Sequence, residues 1–275
     1  MKNNNESANI KPLKGWLGIN FKELWEYREL LYFLLWREIK VRYKQTVLGI
    51  LWAIIQPFFL MVLFSFFFGR FIKMPSAGIP YSLFSYAGLL PWMLFSDGIS
   101  RSTNSLISNE NLIKKVYFPR LILPLSGVLS PLVDFAFSFL VFLGLMIYFR
   151  FFPSFKILWL LVFLPISLVT ALAVGLWLSA LNVRYRDVRY AVPFLIQCWF
   201  FISPVVYTST TLSKNWQFIC SLNPMVAVIE GFRWALLGTS HPSFFTAVSL
   251  VMVLVIFVGG LFYFRRMEKI FADEI

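Results

Sequence analysis

The chain has 275 residues, 59% of them hydrophobic and only 14% charged, with 32 Phe, 11 Tyr and 10 Trp. A soluble domain of this length needs more polar surface than that, so the composition excludes an ordinary globular protein. A net charge of +12 would suggest nucleic acid as a partner of a soluble protein; here Lys and Arg crowd the segments between apolar runs, as in loops held on the cytoplasmic side of a membrane, and no nucleic-acid partner is expected.

Residues 1–20 are rich in Asn and Lys and read as a mobile N-terminal tail. The first long apolar run begins near Leu48, too far in and too long for a cleavable signal sequence. Residues 21–43 mix Leu24, Trp25, Leu31, Leu34, Trp36 and Ile39 with Glu23, Arg28, Arg37 and Arg42. That mixture predicts an amphipathic helix lying along the membrane surface, with Trp25, Arg28, Trp36 and Arg37 as its interfacial residues. A plain cytosolic helix is the alternative.

Six spans follow, at about 48–72, 81–99, 121–149, 157–181, 191–207 and 244–264. Each clears or approaches the ~20 residues a helix needs to cross. Backbone groups in lipid must be satisfied within the segment, so helices are the expected form, and these continuous runs lack the alternation of a β-barrel. Prolines at 57, 91, 124, 131, 165, 193 and 204 punctuate the spans and predict kinks.

Residues 218–237, FICSLNPMVAVIEGFRWALL, are apolar enough for a seventh span. A seventh crossing would carry Arg265, Arg266 and Lys269 to the outer face, against the positive-inside rule. Six spans with cytoplasmic termini and a re-entrant helical element between spans five and six fit the charges better. In that element Asn223-Pro224 is a helix-start pair, and Glu230 is expected to pair with Arg233 at i,i+3. The fold class is therefore an all-α integral membrane protein, with residues 21–275 forming one transmembrane domain.

Little catalytic chemistry is visible. No GxxxxGK[ST] phosphate loop occurs, so this chain does not hold ATP in that manner. The single histidine, His241, and the two cysteines, Cys198 and Cys220, support neither a metal site nor a disulfide. Asp273 and Glu274 belong to a solvated tail, and Asp97 reads as a helix-end charge in the headgroup zone. Asp134 lies deep in the third span, where an ionisable group either lines a polar path or pairs with a neighbouring helix. The aromatics of span one, including Phe58 and Phe59, and of span five, Trp199 and Phe200, either face lipid or line a conduit whose flat rings slide against sugar faces.

Between spans two and three stands NLIKKVYFPR, residues 111–120. Ser108 or Asn109 can cap a short helix through Leu112, Ile113 and Val116, with Pro119 as its stop. Lys114, Lys115 and Arg120 suit a cytoplasmic loop near anionic headgroups. Val116, Tyr117 and Phe118 add an apolar knob that suits a groove on a protein partner.

Four stretches carry a resemblance: LLWREIKVRYKQTVLGILWAIIQPFFLMVLFSFFFGRF from Leu34, NLIKKVYFPRLILPLS from Asn111, NVRYRDVRYAVPFLIQCWFFISPVVY from Asn182, and NPMVAVIEGFRWALLG from Asn223. In this order they resemble the permease subunit of polysaccharide ABC exporters of the ABC-2 type, over nearly the whole chain after residue 20. The resemblance implies a homodimer in the bacterial inner membrane, joined to two copies of an ATP-binding cassette subunit that binds ATP and Mg, with no cofactor in this chain. It implies a lipid-linked glycan of the O-antigen, capsular or teichoic acid kind as cargo. The interfacial helix and residues 112–120 would meet the ATPase, and Asn223, Pro224, Glu230 and Arg233 would form a re-entrant gate near the outer mouth. Export of a drug or small lipid, a membrane-embedded glycan-modifying enzyme and a passive channel are the competing readings.

Overall fold

A computed structural model describes residues 21–44, 49, 51–76, 78–239 and 243–271. The tail at 1–20, the first residues of the first span, His241, and Asp273 and Glu274 lie outside the described residues. Every regular element among the described residues is helical.

The interfacial segment is two helices, α1 (Phe21–Glu26) and α2 (Arg28–Lys44), broken at Tyr27. Apolar and charged side chains mix around α2 instead of separating onto two faces. Leu34 is its one buried residue, whereas Tyr32, Phe33, Trp36 and Val41 are exposed. The amphipathic pattern expected from the sequence is thus weak, and the exposed apolar residues need a membrane or protein surface.

The first apolar run forms α3 (Leu51–Phe64), which continues as a π-helical turn over Ser65–Phe71. The second forms α4 (Tyr81–Ser108), nine residues longer than the sequence suggested. Its polar second half stays helical because its side chains find partners locally: Ser100 donates to the Ser96 carbonyl (2.9 Å), Asn104 to Ser100 (2.8 Å) and Ser105 to Ser102 (2.7 Å). Across the packing, Asn182 Nδ2 donates to the Thr103 carbonyl (2.9 Å). Hydropathy sees the serines; it does not see these bonds.

After the short α5 (Glu110–Lys115), the third run is split into α6 (Ile122–Leu129) and α7 (Leu132–Tyr148). Pro131 supplies the N-cap position of α7, where its missing N–H costs nothing to the helix. A 3₁₀ turn (Phe155–Trp159) leads into α8 (Leu160–Arg184), and α9 (Val188–Ile202) ends where Ser203-Pro204 takes the chain into extended and turn conformations. A second 3₁₀ turn (Ser209–Thr211) precedes α10 (Lys214–Ser221), α11 (Pro224–Leu237) and α12 (Phe244–Glu268).

Among the described residues, four helical stretches are long and apolar enough to cross a membrane: Leu51–Phe71, Ile122–Tyr148, Phe155–Arg184 and Phe244–Glu268. The fifth apolar helix, α9, has 15 residues, and 15 residues at ~1.5 Å each fall short of a ~30 Å hydrocarbon core.

The hub is α4, which packs against α3, α6, α7, α8, α9 and α11. Close approach depends on small residues at the crossings: a Cβ at Gly127 of α6 would stand 2.7 Å from the Ser102 backbone nitrogen. Among the described residues two apolar clusters result. The larger joins Tyr86, Phe95, Phe142 and Phe232; the smaller, at the other end of α4, joins Leu34, Leu106, Phe118, Phe264 and Phe271.

Candidate functional site

At the C-terminal end of α4 the chain turns through Asn109 into α5, whose first and last turns carry Glu110 and Lys114 in an i,i+4 pair (3.4 Å). Asn109 occupies the N-cap position, but its side chain does not cap. Its Oδ1 accepts from Arg37 of α2 (2.5 Å) and its Nδ2 donates to the Ser105 carbonyl (2.8 Å). The apolar knob expected here divides in two. Ile113 and Phe118 turn inward and are buried in the smaller cluster, while Val116 and Tyr117 are exposed beside Lys114 and Lys115. Leu112 lies between these extremes.

This segment, from Ile113 to Arg120, borders a shallow cavity of about 250 Å³. It is tied to two other elements. Tyr27 Oη donates to the Tyr117 carbonyl (3.4 Å), which joins it to the break between α1 and α2. Arg120 joins it to the end of α12: its backbone N–H donates to Glu268 Oε1 (3.3 Å), its guanidinium to the Glu268 carbonyl, and its charge lies over the Phe271 ring. Glu268 also pairs with Arg265 (3.0 Å). A push on Val116 or Tyr117 therefore reaches α2, α4 and α12 together. Of the four interfacial residues, Arg37 joins this network, Trp25 and Arg28 stack on each other (5.5 Å), and Trp36 is exposed.

Asp134 stands in the first turn of α7, where the helix dipole favours a carboxylate. It pairs with Arg42 and accepts from Tyr43 Oη, both on the last turn of α2. The buried acid is therefore a fastener between the interfacial helix and the third apolar run. Beside it lies a cavity of about 20 Å³ bordered by Arg42, Gln56, Asp97 and Ser138, room for about one water.

The other end of α4 holds the segment expected to be re-entrant. Asn223 caps α11 by accepting from Met225 N–H (3.0 Å), and Pro224 fills the first helical position; Gly238, at φ 67°, closes the helix. Asn223 also accepts from Trp199 Nε1 (2.9 Å) and donates to Ser203 Oγ (2.9 Å), binding α11 to α9. The expected Glu230–Arg233 ion pair is not formed. Arg233 is fully buried and instead donates to the carbonyls of Pro204 (2.7 Å), Tyr207 (2.9 Å), Phe84 (3.3 Å) and Val205. Its guanidinium lies 3.7 Å from the Phe84 ring centroid. Glu230 accepts from Ser209 Oγ. The reason is local supply and demand. Beyond α9 the chain is non-helical, so the Pro204, Val205 and Tyr207 carbonyls have no helical donor, and the five-donor guanidinium supplies all three.

The candidate conduit residues are not all alike. Phe58 and Phe59 are exposed on α3. Phe200 stacks on Phe64 (5.6 Å) and meets Trp92 edge-on (5.4 Å), and Trp92 continues through Phe95 to Trp199. Trp199 and Phe200 thus belong to one ring network across α3, α4 and α9, from which Phe58 and Phe59 stand apart.

Residues 29–237 match the ABC-2 type transporter family. The chain belongs to this family. Among curated relatives, this ABC-2 type chain is 30% identical to the O-antigen export system permease protein RfbA of Myxococcus xanthus, over 92% of its own length and 98% of the relative's. It is 27% identical to the protein of the same name from Klebsiella pneumoniae, over 86% and 91%. It is 23% identical to the polysialic acid transport protein KpsM of Escherichia coli, over 86% and 93%. The matched span takes in α2 but for its first residue, the α5 segment, Asp134 and α11.

Sequence reasoning missed four participants: Arg42 and Tyr43 as partners of Asp134, Glu268 as partner of Arg120, and Phe84 beneath Arg233. Arg42 and Asp134 lie 92 residues apart and Arg120 and Glu268 lie 148 apart, and no periodicity spans such gaps.

Proposed function

We propose that this chain is the membrane subunit of an ATP-driven exporter that carries a lipid-linked polysaccharide across a bacterial inner membrane. The observation that carries the reading is the end-to-end similarity to permeases named for O-antigen export and polysialic acid transport. A separate ATP-binding cassette subunit, with its ATP and Mg, supplies the energy, and the exposed Val116–Tyr117 tip with its lysines is the surface offered to it.

In this reading the termini are cytoplasmic and six segments cross: α3 with its π turn, α4, α6–α7, α8, α9 and α12. α1–α2 lies along the inner surface, and α10–α11 re-enters from the outside. The shortness of α9 supports that placement, because irregular backbone at membrane depth is tolerated only where protein covers it, and Arg233 takes the carbonyls that follow α9. α3 and α9 bury few of their residues and expose Trp52, Phe58, Phe59, Phe194, Leu195 and Phe201, which supports pairing with a second copy around the path.

A second reading, export of a single small lipid, draws on an apolar cavity of about 350 Å³ between α4, α8 and α9, bordered by Ile99, Val174, Leu195 and Trp199. Deletion of the gene separates the two. Loss of surface polysaccharide with lipid-linked glycan retained inside supports the first; unchanged surface polysaccharide overturns it.

A further inference from the structure

At the N-terminal end of α4, opposite the α5 segment, a cleft of about 250 Å³ opens beside the Arg233 network, with Arg233 and Phe84 on its wall. α4 has 28 residues, so roughly 40 Å of helix separates the two ends. Thr208, Thr210, Thr211 and Thr239 surround the cleft with hydroxyls, Glu230 contributes a carboxylate, and exposed Pro75 contributes apolar surface, while Arg233 and the Phe84 beneath it form the buried back wall.

We propose that this cleft is a binding subsite for one sugar unit of the exported glycan. The inference rests on the exporter reading above and names a residue-level contact for its cargo. A pyranose ring presents hydroxyls at its edge and C–H groups on its faces, and the cleft offers the matching halves. The carboxylate can accept from two neighbouring hydroxyls, and it already accepts from Ser209 Oγ through Oε1, which fixes its orientation. Thr211 Oγ1 donates to the Thr208 carbonyl (2.7 Å), so its oxygen is turned into an acceptor. The space admits a single ring.

The charges select a neutral ligand. An anion such as phosphate would meet the Glu230 carboxylate. The Arg233 guanidinium borders the cleft, but it is buried and its N–H groups are committed to four carbonyls. A cation would face that same guanidinium charge behind the carboxylate. A polyhydroxylated neutral group meets neither penalty.

The test uses Thr210→Cys in the full chain, in native membrane vesicles, with Cys198→Ser and Cys220→Ser removing the other thiols. The probe is oligosaccharide released by mild acid from the host's own surface polysaccharide, with sorbitol as control. The oligosaccharide should slow maleimide labelling at position 210 at least threefold, and sorbitol should not. Adding Glu230→Gln should raise the half-protecting concentration about tenfold, the effect of losing one charge-assisted hydrogen bond. Thr208→Val with Thr211→Val, which removes hydroxyls from the rim and leaves Glu230 in place, should raise it as well. Labelling that is indifferent to oligosaccharide, in vesicles whose wild-type chain restores surface polysaccharide to a deletion strain, overturns the subsite and leaves the exporter reading standing. A deletion strain with unaltered surface polysaccharide overturns the exporter reading itself.

Discussion

Arg233 of α11 lies over the ring of Phe84 of α4, 3.7 Å from its centroid, while its N–H groups bind the backbone that follows α9. One side chain thus closes three elements around the stretch where α9 falls short. Arg233→Lys keeps the charge and loses the fork. At least two buried carbonyls are then left bare, at about 1–3 kcal/mol each. The thermal midpoint of the detergent-purified chain should fall by about 5–10 °C. An unchanged midpoint would mean that the fork is not what holds this backbone.

Asp134 offers a cleaner measurement because both partners sit on one helix turn. Asp134→Asn and Arg42→Gln should each destabilise the chain by about 1–3 kcal/mol, and the double variant by clearly less than their sum. Tyr43→Phe, which removes one hydrogen bond, should cost about 1 kcal/mol. Additive losses in a denaturant series would show that Arg42 and Asp134 do not act as a pair.

The α5 segment separates into an exposed tip, Val116 and Tyr117, and a buried residue, Phe118. Val116→Ala with Tyr117→Ala changes exposed side chains and should leave the folded chain's stability within about 0.5 kcal/mol while uncoupling ATP hydrolysis from export. Phe118→Ala empties a buried site and should cost about 3–5 kcal/mol, seen as a lower yield of folded protein. Equal losses of stability in both variants would contradict this division.

Two glycines within helices should respond with opposite signs. Ala in place of a helical Gly ordinarily stabilises by about 1 kcal/mol. Gly144 has open space around it, and Gly144→Ala should show that gain. At Gly88 a Cβ would stand 2.7 Å from Arg233 Nη2 and 2.8 Å from the Val205 carbonyl oxygen, so Gly88→Ala should destabilise. Melting of the two variants side by side checks both signs.

The helical class, the apolar runs and the Asn223-Pro224 start of α11 were legible because hydropathy and helix-start chemistry are local. The true end of α4 was not, since Ser100, Asn104 and Ser105 look like loop residues until their carbonyl partners are known. Spacing alone suggested a Glu230–Arg233 pair; it could not reveal that the chain after α9 would present carbonyls to Arg233. Phe118 reads as a partner to Tyr117 in sequence, yet the chain leaves α5 extended at Val116, and successive side chains there face opposite sides, one buried and one exposed.

In the proposed exporter this chain transmits work done by a separate ATPase to a glycan path within it. The most direct measurement is affinity purification of the full chain from its native membrane in mild detergent, followed by intact-mass analysis of the complex. The expected result is two copies of this chain with two copies of an ATP-binding subunit, the latter lost on combining Val116→Asp with Tyr117→Asp. Recovery of the wild-type chain without any ATP-binding subunit, under conditions where it remains folded, would contradict that role.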